Sequence, residues 1–249
     1  YNVLYITLEM AEEKIAERID ANLLNVNIKD IGEMPQAIFE NRVNEIGRKS
    51  QGKLIIKEYP TASAHSGHFK ALLSDLSLKK DFRPNIIFID YLNICASSRY
   101  KGHIVNSYTY VKAIAEELRG LAVEHDLPIV SATQTTRSGF GNSDVDLTDT
   151  SESFGLPATA DLMFALISTE ELEQSGRIMV KQLKNRYNDL TYFRRFTVGI
   201  DRAKMKLYNV DDSEGELTAS DAPEEETFDR LEDISDRQSR LDKFSQFVI

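Results

Sequence analysis

Asn85-Ile86-Ile87-Phe88-Ile89-Asp90-Tyr91-Leu92-Asn93 contains a short apolar run that ends in the carboxylate of Asp90. Apolar runs of this length, bounded by polar residues, are typical of strands that a parallel sheet buries on both faces. Ligands of open α/β sheets bind at the carboxyl ends of the strands, so this run delivers Asp90 to a ligand-binding edge. Because many strands end in Asp, the run indicates a function only together with the segments around it.

Strand and helix patterns alternate as far as residue 133, and strands alone follow. Strands are predicted over 2–8, 53–59, 85–90 and 128–133, and later at about 162–167, 177–184, 192–198 and 204–210. Helices are predicted around 15–23, 35–50 and 69–76, and most clearly over Ser107–His125. The sequence therefore predicts an α/β fold: a mostly parallel twisted sheet flanked by helices and extended by antiparallel strands near the carboxyl terminus.

The net charge of −10 is concentrated in the last part of the chain. Residues 211–249 hold 13 of the 40 acidic side chains and 4 of the 30 basic ones, a net of −9. Residues 1–210 are close to neutral, at −1, so the overall charge does not exclude a nucleic-acid partner. We predict one domain over 1–210 and an acidic, largely disordered tail over 211–249, in which a short helix could form.

Composition narrows the class of protein. With 41% hydrophobic and 28% charged residues, the chain suits a globular protein, and no apolar run approaches the roughly 18 residues of a membrane span. The first residues lack the features of a signal peptide. The single cysteine, Cys95, excludes an internal disulfide and a metal site built from several cysteines. A cytoplasmic location with no membrane partner is the simplest interpretation.

Polar residues end two further strands of the predicted parallel sheet. Glu9 follows the first strand and Gln134 follows the fourth, so both join Asp90 at one edge of the sheet. This set suits nucleoside triphosphate hydrolysis: Asp90 would hold Mg²⁺, Glu9 would orient and deprotonate the attacking water, and Gln134 would sense the γ-phosphate. Any one of these residues alone could merely cap a strand or a helix.

A phosphate-binding loop should accompany such a set. Gly47-Arg48-Lys49-Ser50-Gln51-Gly52-Lys53-Leu54 matches the spacing G-x-x-x-x-G-K, but Leu54 replaces the hydroxyl residue that ligates Mg²⁺. The segment also follows a helix and opens a strand, the reverse of the order that points helical N–H groups at phosphates. We reject it and predict that the chain contains no phosphate-binding loop. A chain that opens directly on a buried strand further predicts that an earlier part of the domain is missing.

Three further segments carry cations, and the first of them contains Lys184 and Arg186. Lys184 and Arg186 are two residues apart on a predicted strand and so point to the same side, which suits a phosphate that arrives from a neighbouring subunit. The alternative is a solvated basic strand edge.

Two loops after strand ends combine cations with aromatic residues and glycines: one contains Arg99 and Lys101, the other Arg137 and Phe140. Such side chains hold single strands by phosphate contact and base stacking. The alternative is that both are ordinary surface loops.

Taken together, these segments resemble the RecA-like motor domain of the DnaB-like hexameric replicative helicases, and among them those of T-even-type bacteriophages. The likeness rests on the strand that ends in Glu9, the strand that ends in Asp90, Ser131-Ala132-Thr133-Gln134, the segment 149–161, and Lys184-Asn185-Arg186.

The resemblance implies an ATP-dependent DNA helicase that uses Mg²⁺ and threads single-stranded DNA through a ring hexamer, moving 5′ to 3′. It implies a primase and a helicase loader as partners, and the host cytoplasm as location if a phage encodes the chain. It implies that the segment 149–161 contributes a DNA-facing loop, and that Lys184 and Arg186 reach the nucleotide of the adjacent subunit. The chain departs from the family's pattern because the phosphate-binding loop and the amino-terminal domain are absent. By itself it should bind ATP poorly and hydrolyse almost none.

Two alternatives stay open. One is another RecA-like ATPase, of the recombinase or clock type, which shares the core but differs in its sensor loops and in the Lys-x-Arg strand. The other is a non-catalytic module that holds DNA or a protein partner, which the missing loop and the acidic tail favour.

Overall fold

The strand that ends in Asp90 lies inside a parallel sheet, as its apolar run predicts. The computed structural model describes residues 1–100, 105–135 and 155–210. The strands in these ranges are Val3–Thr7 (β1), Leu54–Glu58 (β2), Ile86–Asp90 (β3), Ile129–Ser131 (β4), Leu162–Ile167 (β5), Arg177–Asn185 (β6), Arg195–Asp201 (β7) and Lys206–Asn209 (β8). The helices are Glu12–Leu24 (α1), Ile28–Ile31 (α2), Gln36–Lys49 (α3), Ser66–Lys80 (α4), Ser107–His125 (α5), Gly155–Thr159 (α6) and Glu170–Gln174 (α7).

The first four strands form a parallel sheet in the order β2-β1-β3-β4. The last four form an antiparallel sheet in chain order, β5-β6-β7-β8. The predicted fold class, a parallel α/β sheet with antiparallel strands after it, is therefore confirmed. The prediction that the late strands extend the first sheet needs refinement, because in the described residues they form a sheet of their own.

The main core lies on one face of the parallel sheet. Leu4, Ile6, Ile87 and Ile89 point to this face and are almost completely buried. They pack with apolar side chains of α4 and α5 in a single cluster. Helix α5 faces the sheet because its apolar residues recur at helical spacing, namely Val111, Ile114, Ala115, Leu118 and Leu121.

Caps fix both ends of α5 at the predicted positions. The Asn106 side chain accepts a hydrogen bond from the Thr109 amide at 2.8 Å, which satisfies one of the unpaired donors of the first turn. At the other end Asp126 adopts a left-handed conformation with φ of 51°, and its amide bonds to carbonyls of the last turn. These local signals explain why the helix over Ser107–His125 has the bounds that the sequence predicts.

The antiparallel sheet is much less covered than the parallel one. Its own buried cluster consists of Ala165, Ile167 and Leu183. Large apolar side chains elsewhere in it are exposed, among them Leu162, Phe164, Leu166, Phe196 and Leu207. Among the described strands, β5 pairs only with β6 and β4 only with β3, so each of these two strands has an edge without a strand partner.

One strand is displaced from its predicted position. The sequence predicts a strand at 192–198, whereas β7 begins at Arg195 and ends at Asp201. Tyr192 and Phe193 lie in the preceding turn, where Phe193 has a φ of 52° that no regular strand residue adopts. Aromatic residues are typical of strands, and for this reason the predicted strand began too early, at residue 192. The short helices α2, α6 and α7 were not predicted, since four or five residues carry too little periodicity.

Several predictions fall on residues outside the described ranges. They concern Lys101, Arg137, Phe140, the first six residues of the segment 149–161 and the acidic tail 211–249. In the described part of the chain, no helix combines the length and the apolar character that crossing a membrane requires.

Candidate functional site

The strand order brings the three predicted polar strand ends to one edge of the parallel sheet. Strand β3 lies between β1 and β4, and all three run in the same direction. Glu9 follows the end of β1 by two residues, Asp90 is the last residue of β3, and Gln134 follows β4 by three residues. The predicted grouping of these residues at one carboxyl edge is thus what the strand order produces.

Asp90 is held by a neighbour that the sequence did not suggest. The Tyr5 hydroxyl donates a hydrogen bond of 2.9 Å to Oδ2 of Asp90. Burial, this hydrogen bond and the negative charges of Asp90 and Glu9 together raise the pKa of Tyr5 above its ordinary value. Tyr5 also stacks on Phe88, its register partner on β3, with ring centroids 6.3 Å apart. A protonated, stacked phenol therefore fixes the orientation of the Asp90 carboxylate through Oδ2, and Oδ1 could bind a further ligand.

Glu9 has a rigid backbone and an exposed side chain. Thr7, two residues before Glu9, is fully buried. Its hydroxyl donates a hydrogen bond of 2.8 Å to the Met10 carbonyl and accepts one of 3.0 Å from the Met10 amide. The Leu8 amide donates to the Asp90 carbonyl at 2.9 Å, so this turn is also bonded to β3. A carboxylate presented in this way can accept a proton from a water molecule.

Gln134 belongs to a segment that is bonded to the segment after β3. Its Nε2 donates to the Tyr91 hydroxyl at 3.1 Å. One residue earlier, the Thr133 hydroxyl donates to Oδ1 of Asn93 at 2.8 Å. The residues that follow β3 and β4 are therefore held together, and an amide side chain lies beside the edge that carries Asp90.

The residues at this edge fit a magnesium ion that arrives with its nucleotide. Mg²⁺ usually keeps several waters and is bound through one or two carboxylates together with phosphates of the substrate. Asp90, with one carboxylate oxygen taken by Tyr5, meets that pattern. No group of three or more potential metal ligands occurs among the described residues, so this part of the chain builds no cage of its own for a metal ion.

Lys184 is on β6 and Arg186 directly follows that strand, and both side chains contact the end of α6. Nζ of Lys184 donates to the Pro157 carbonyl at 2.5 Å, and Arg186 donates to the Ala158 carbonyl at 3.3 Å. Burial and the charge of Arg186 lower the pKa of Lys184. Arg186 also forms an ion pair of 2.7 Å with Asp161.

Asp161 joins this pair to α5. Its second oxygen accepts a 2.7 Å hydrogen bond from Arg119, and the cations around it hold the pKa of Asp161 below its usual range, Arg119 contributing most. An open cavity of about 530 Å³ lies beside the cluster, lined by Arg119 and Arg186 among others. Helix α5 runs from the carboxyl edge of the sheet back towards its amino edge, and Arg119 lies in its second half. The cluster therefore joins α5, α6 and the residue that follows β6.

Of the predicted DNA-contacting residues, only Arg99 is described. Its guanidinium forms an ion pair of 2.6 Å with Glu116 of α5, and its side chain is half exposed. In the stem of its loop, residues 97–99 donate hydrogen bonds to Glu117 of the same helix, and the Tyr100 amide donates to the Ser97 hydroxyl.

The rejected phosphate-loop match has a structural role, as expected. Gly47 lies in the last turn of α3 and Leu54 opens β2, so the segment ends a helix and begins a strand. A Cβ at Gly52 would lie 1.9 Å from the Tyr1 carbonyl oxygen, which explains the glycine by close approach of two backbones. No helix begins at this segment to present N–H groups to a phosphate.

Comparison with known proteins identifies the family of this chain. Residues 1–194 match the family described as the DnaB-like helicase C-terminal domain. The chain belongs to that family. It is 46% identical over 214 residues to the DnaB-like replicative helicase of Enterobacteria phage T4, covering 85% of this chain and 45% of that protein. It is 28% identical over 169 residues to the replicative DNA helicase DnaB of Helicobacter pylori, covering 66% of this chain and 33% of the relative.

Solved structures show that this DnaB-like domain has the RecA-like fold. One of them, an ATPase domain, superposes with a TM-score of 0.68 at 18% identity, covering 84% of this chain and 75% of that one. A DnaB-like replicative helicase studied for its interactions with primase superposes with a TM-score of 0.69 at 17% identity, covering 84% and 51%. The chain spans less than half the length of the curated relatives it matches.

Sequence reasoning missed three residues of this region: Tyr5, Glu117 and Asp161. Tyr5 lies within an apolar strand and resembles a core residue, and Glu117 belongs to a polar helix face. Their partners are far away in the chain, 85 residues for Tyr5 and Asp90. Only Asp161 offered a signal, since it directly precedes a predicted strand in the segment that the family resemblance covers.

Proposed function

We propose that this domain is the motor of an ATP-driven replicative DNA helicase, which translocates on single-stranded DNA and unwinds the duplex ahead of it. The observation that carries the proposal is the presence of Glu9, Asp90 and Gln134 at one edge of a parallel sheet in a DnaB-like domain. Such a constellation suits phosphoryl transfer to water, because that reaction depends on positioning and charge stabilisation.

In the proposed mechanism each strand end has one task. Asp90, oriented by Tyr5, holds Mg²⁺ directly or through water. When bound, the ion neutralises charge that develops on the phosphates. Glu9 orients the attacking water and accepts its proton, which its exposed position on a rigid turn favours. Gln134 donates to the γ-phosphate and, through its contact with Tyr91, couples the nucleotide state to the segment after β3.

Lys184 and Arg186 act on the nucleotide of an adjacent subunit in a ring hexamer. Both side chains contact carbonyls of the same short helix, α6, and this shared position two residues apart supports a joint role. A cation supplied in trans stabilises the transition-state charge of phosphoryl transfer. Asp161 and the carbonyls of α6 keep both side chains ordered until a phosphate replaces these partners.

Single-stranded DNA contacts the loops that leave the carboxyl edge. In the sequence, Arg99 and Lys101 follow β3, and Arg137 and Phe140 follow β4. Cations there neutralise phosphates, and Phe140 stacks on a base. A primase and a helicase loader are the protein partners. The interaction with primase that is attributed to a DnaB-like helicase of the same fold supports the first of these.

The 249 residues contain no phosphate-binding loop that meets the sequence and structural requirements. The motor therefore needs a further segment that supplies it, and this polypeptide alone hydrolyses almost no ATP. A DNA-stimulated ATPase activity measured for the 249-residue polypeptide by itself would contradict this statement.

Replacing the proposed general base tests the motor function. In the full-length protein, Glu9→Gln should lower DNA-stimulated ATP hydrolysis by a factor of about 100 to 1,000 while nucleotide affinity is retained. Glu13→Gln, the same change at an exposed position in the first turn of α1, is the matched control and should leave hydrolysis unchanged. Equal activity of both variants would favour a non-catalytic DNA- or partner-binding module.

Mixing two inactive variants tests the action in trans. Rings of Glu9→Gln subunits and rings of Arg186→Ala subunits should each lack activity. In mixed rings, an interface between the intact Glu9 of one subunit and the intact Arg186 of its neighbour has every group it needs. Hydrolysis should therefore recover with a maximum near equal proportions. Mixtures that never exceed the activity of either variant would place Arg186 in its own subunit's site.

A further inference from the structure

The Glu117 carboxylate, in the middle of α5, accepts hydrogen bonds from three serines on two other segments. Ser66, the first residue of α4, donates its hydroxyl at 3.0 Å. Ser97 donates its hydroxyl at 2.6 Å, and Ser98 donates both its hydroxyl at 2.8 Å and its amide at 2.9 Å. We call these three residues the serine anchor. Glu117 thus joins α4, α5 and the loop that follows β3.

The hydrogen bonds continue into the loop itself. The Arg99 amide donates to Glu117 at 3.3 Å and to the Ser97 hydroxyl at 3.2 Å, and the Tyr100 amide reaches the same hydroxyl at 3.4 Å. Ser97 is 5% exposed, whereas Ser98 and Arg99 are exposed, so this pattern runs from the interior to the surface. Backbone amides of consecutive residues are therefore fixed by one carboxylate and one hydroxyl, which sets the course of the loop stem.

Burial by itself would raise the pKa of Glu117, but the hydrogen bonds from Ser97, Ser98 and Ser66 outweigh it and hold that pKa below its usual range. The side chain is a carboxylate at neutral pH and accepts every bond. An amide in its place must present a donor to at least one of the N–H or O–H groups that now donate to it. The conservative change Glu117→Gln should therefore loosen the loop stem without changing side-chain volume.

The next residue of the helix, Glu116, contacts the same loop in a different way. It does not bond to the loop backbone in any described contact but pairs with the Arg99 guanidinium at 2.6 Å, and Lys112 approaches it at 3.9 Å. This pair is half exposed, so it is weak and a phosphate can replace the carboxylate.

We propose that Glu117 is the positioning residue that shapes the loop stem Ser97–Tyr100 for single-stranded DNA, while Glu116 competes with the DNA for Arg99. This inference rests on the proposed function, in which Arg99 contacts a phosphate. It assigns opposite effects to two adjacent glutamates: one arranges the binding loop, the other occupies its cation in the absence of DNA.

Fluorescence anisotropy of a labelled oligo(dT) with the full-length protein tests the proposal. Glu117→Gln should weaken binding by roughly five- to tenfold, because the loop stem no longer presents Arg99 in a fixed position. Glu116→Gln should tighten binding by about two- to threefold, because an exposed competing charge is removed. Glu124→Gln, on the same helix but paired with Lys70 of α4, is the matched control and should leave binding unchanged.

Salt dependence and nucleotide affinity distinguish positioning from general damage. Arg99→Ala should lower the slope of log affinity against log salt by about one unit. Glu117→Gln should lower that slope in the same direction, whereas the affinity for a fluorescent nucleotide should stay unchanged in every variant. Weakening by both Gln variants alike, or a parallel loss of nucleotide affinity, would overturn the proposal.

Two controls separate the inference from the proposed function. If Arg99→Ala binds DNA normally, the loop is no DNA contact and the inference fails, even when Glu9→Gln abolishes hydrolysis. If Glu9→Gln has no effect on hydrolysis but the two glutamate variants change DNA affinity in opposite directions, the inference holds and the motor function fails.

Discussion

The two sheets of this domain differ in how much of their apolar surface is buried. The parallel sheet belongs to a core of eighteen buried residues that includes side chains of α4 and α5. The antiparallel sheet has a buried cluster of three residues and exposes Leu162, Phe164 and Leu166 along one strand. Burial removes apolar surface from water and fixes side-chain positions, so the first sheet is the stable scaffold.

The difference in packing between the two sheets matters for function, because each sheet carries residues with a different proposed role. The groups that act within the subunit, Glu9, Asp90 and Gln134, extend from the densely packed sheet. Lys184 and Arg186, which we propose to act on a neighbouring subunit, extend from the thinly packed one. A site that needs a fixed geometry gains from a rigid support, whereas residues that respond to a neighbour gain from a support that can shift.

The largest expected effect concerns the single cysteine. Cys95 is buried beside the parallel sheet, and burial together with the charge of Glu117 raises its pKa to about 12. Because the thiolate is the reactive form, a thiol reagent should label the native protein roughly a thousandfold more slowly than the urea-unfolded protein. Stopped samples analysed by mass spectrometry give both rates. Fast labelling without denaturant would show that the core of the parallel sheet opens readily, which would contradict its description as the stable scaffold.

A pair of matched core substitutions measures the difference in packing directly. Ile89 and Ile167 are both buried, but they belong to the large and the small cluster, respectively. Ile89→Ala should cost about 4 kcal/mol in the free energy of unfolding, and Ile167→Ala about 2 kcal/mol, because a thinly covered site collapses more easily around a cavity. Urea unfolding of both variants gives the values. Equal losses would mean that the two sheets are packed equally well.

The ion pairs of Asp161 connect the two regions, because Arg119 lies on α5 and Arg186 follows β6. Asp161→Asn should lower the melting temperature at pH 7 by roughly 3 °C. The cations hold the pKa of Asp161 below its usual 3.8, so their contribution is complete above that value and is lost as the pH falls through the lowered pKa.

Thermal melts of both proteins from about pH 7 to about pH 3 test the sign of this effect. The difference in melting temperature should stay constant down to about pH 5 and shrink below about pH 4. A difference that grows towards acid would show that Asp161 is not stabilised as a carboxylate.

The smallest effect is expected on the outer face of β5. Leu166 is 67% exposed, so Leu166→Ser should change the free energy of unfolding by less than about 0.5 kcal/mol. The same change should reduce association of the isolated domain, which analytical ultracentrifugation detects. A loss of stability comparable to that of Ile167→Ala would reveal that this face is covered.

The sequence predictions were more accurate for the parallel sheet than for the antiparallel sheet. In the parallel half, strand ends, strand order along the edge and the bounds of α5 were predictable, because each depends on local periodicity, caps and the common direction of parallel strands. In the antiparallel half, the position of β7 was wrong, since the aromatic pair Tyr192 and Phe193 belongs to a turn. Pairing register in a hairpin depends on the turn, and nothing local identified Phe193 as its left-handed residue.

Within the candidate site, the residues at strand ends were predictable and their supporting partners were not. Asp90 and Glu9 could be named because chemistry requires carboxylates at that edge. The Tyr5 hydrogen bond and the serine anchor of Glu117 join distant segments, and no local pattern marks a tyrosine or a glutamate as a partner before the fold is known. The roles of the site residues remain predictions that the variants above test.

The edges of β4 and β5 that pair with no other described strand affect the solubility of the domain. A strand edge with free N–H and C=O groups pairs with other strands that reach it, and exposed apolar residues beside it strengthen the attachment. Val130 on β4 and the outer residues of β5 provide such surfaces in the described part of the chain. The isolated domain should therefore aggregate edge to edge at high concentration. A peptide that pairs with one of these edges as a further strand should keep the domain monomeric. The two edges therefore determine the concentration up to which the isolated domain stays in solution.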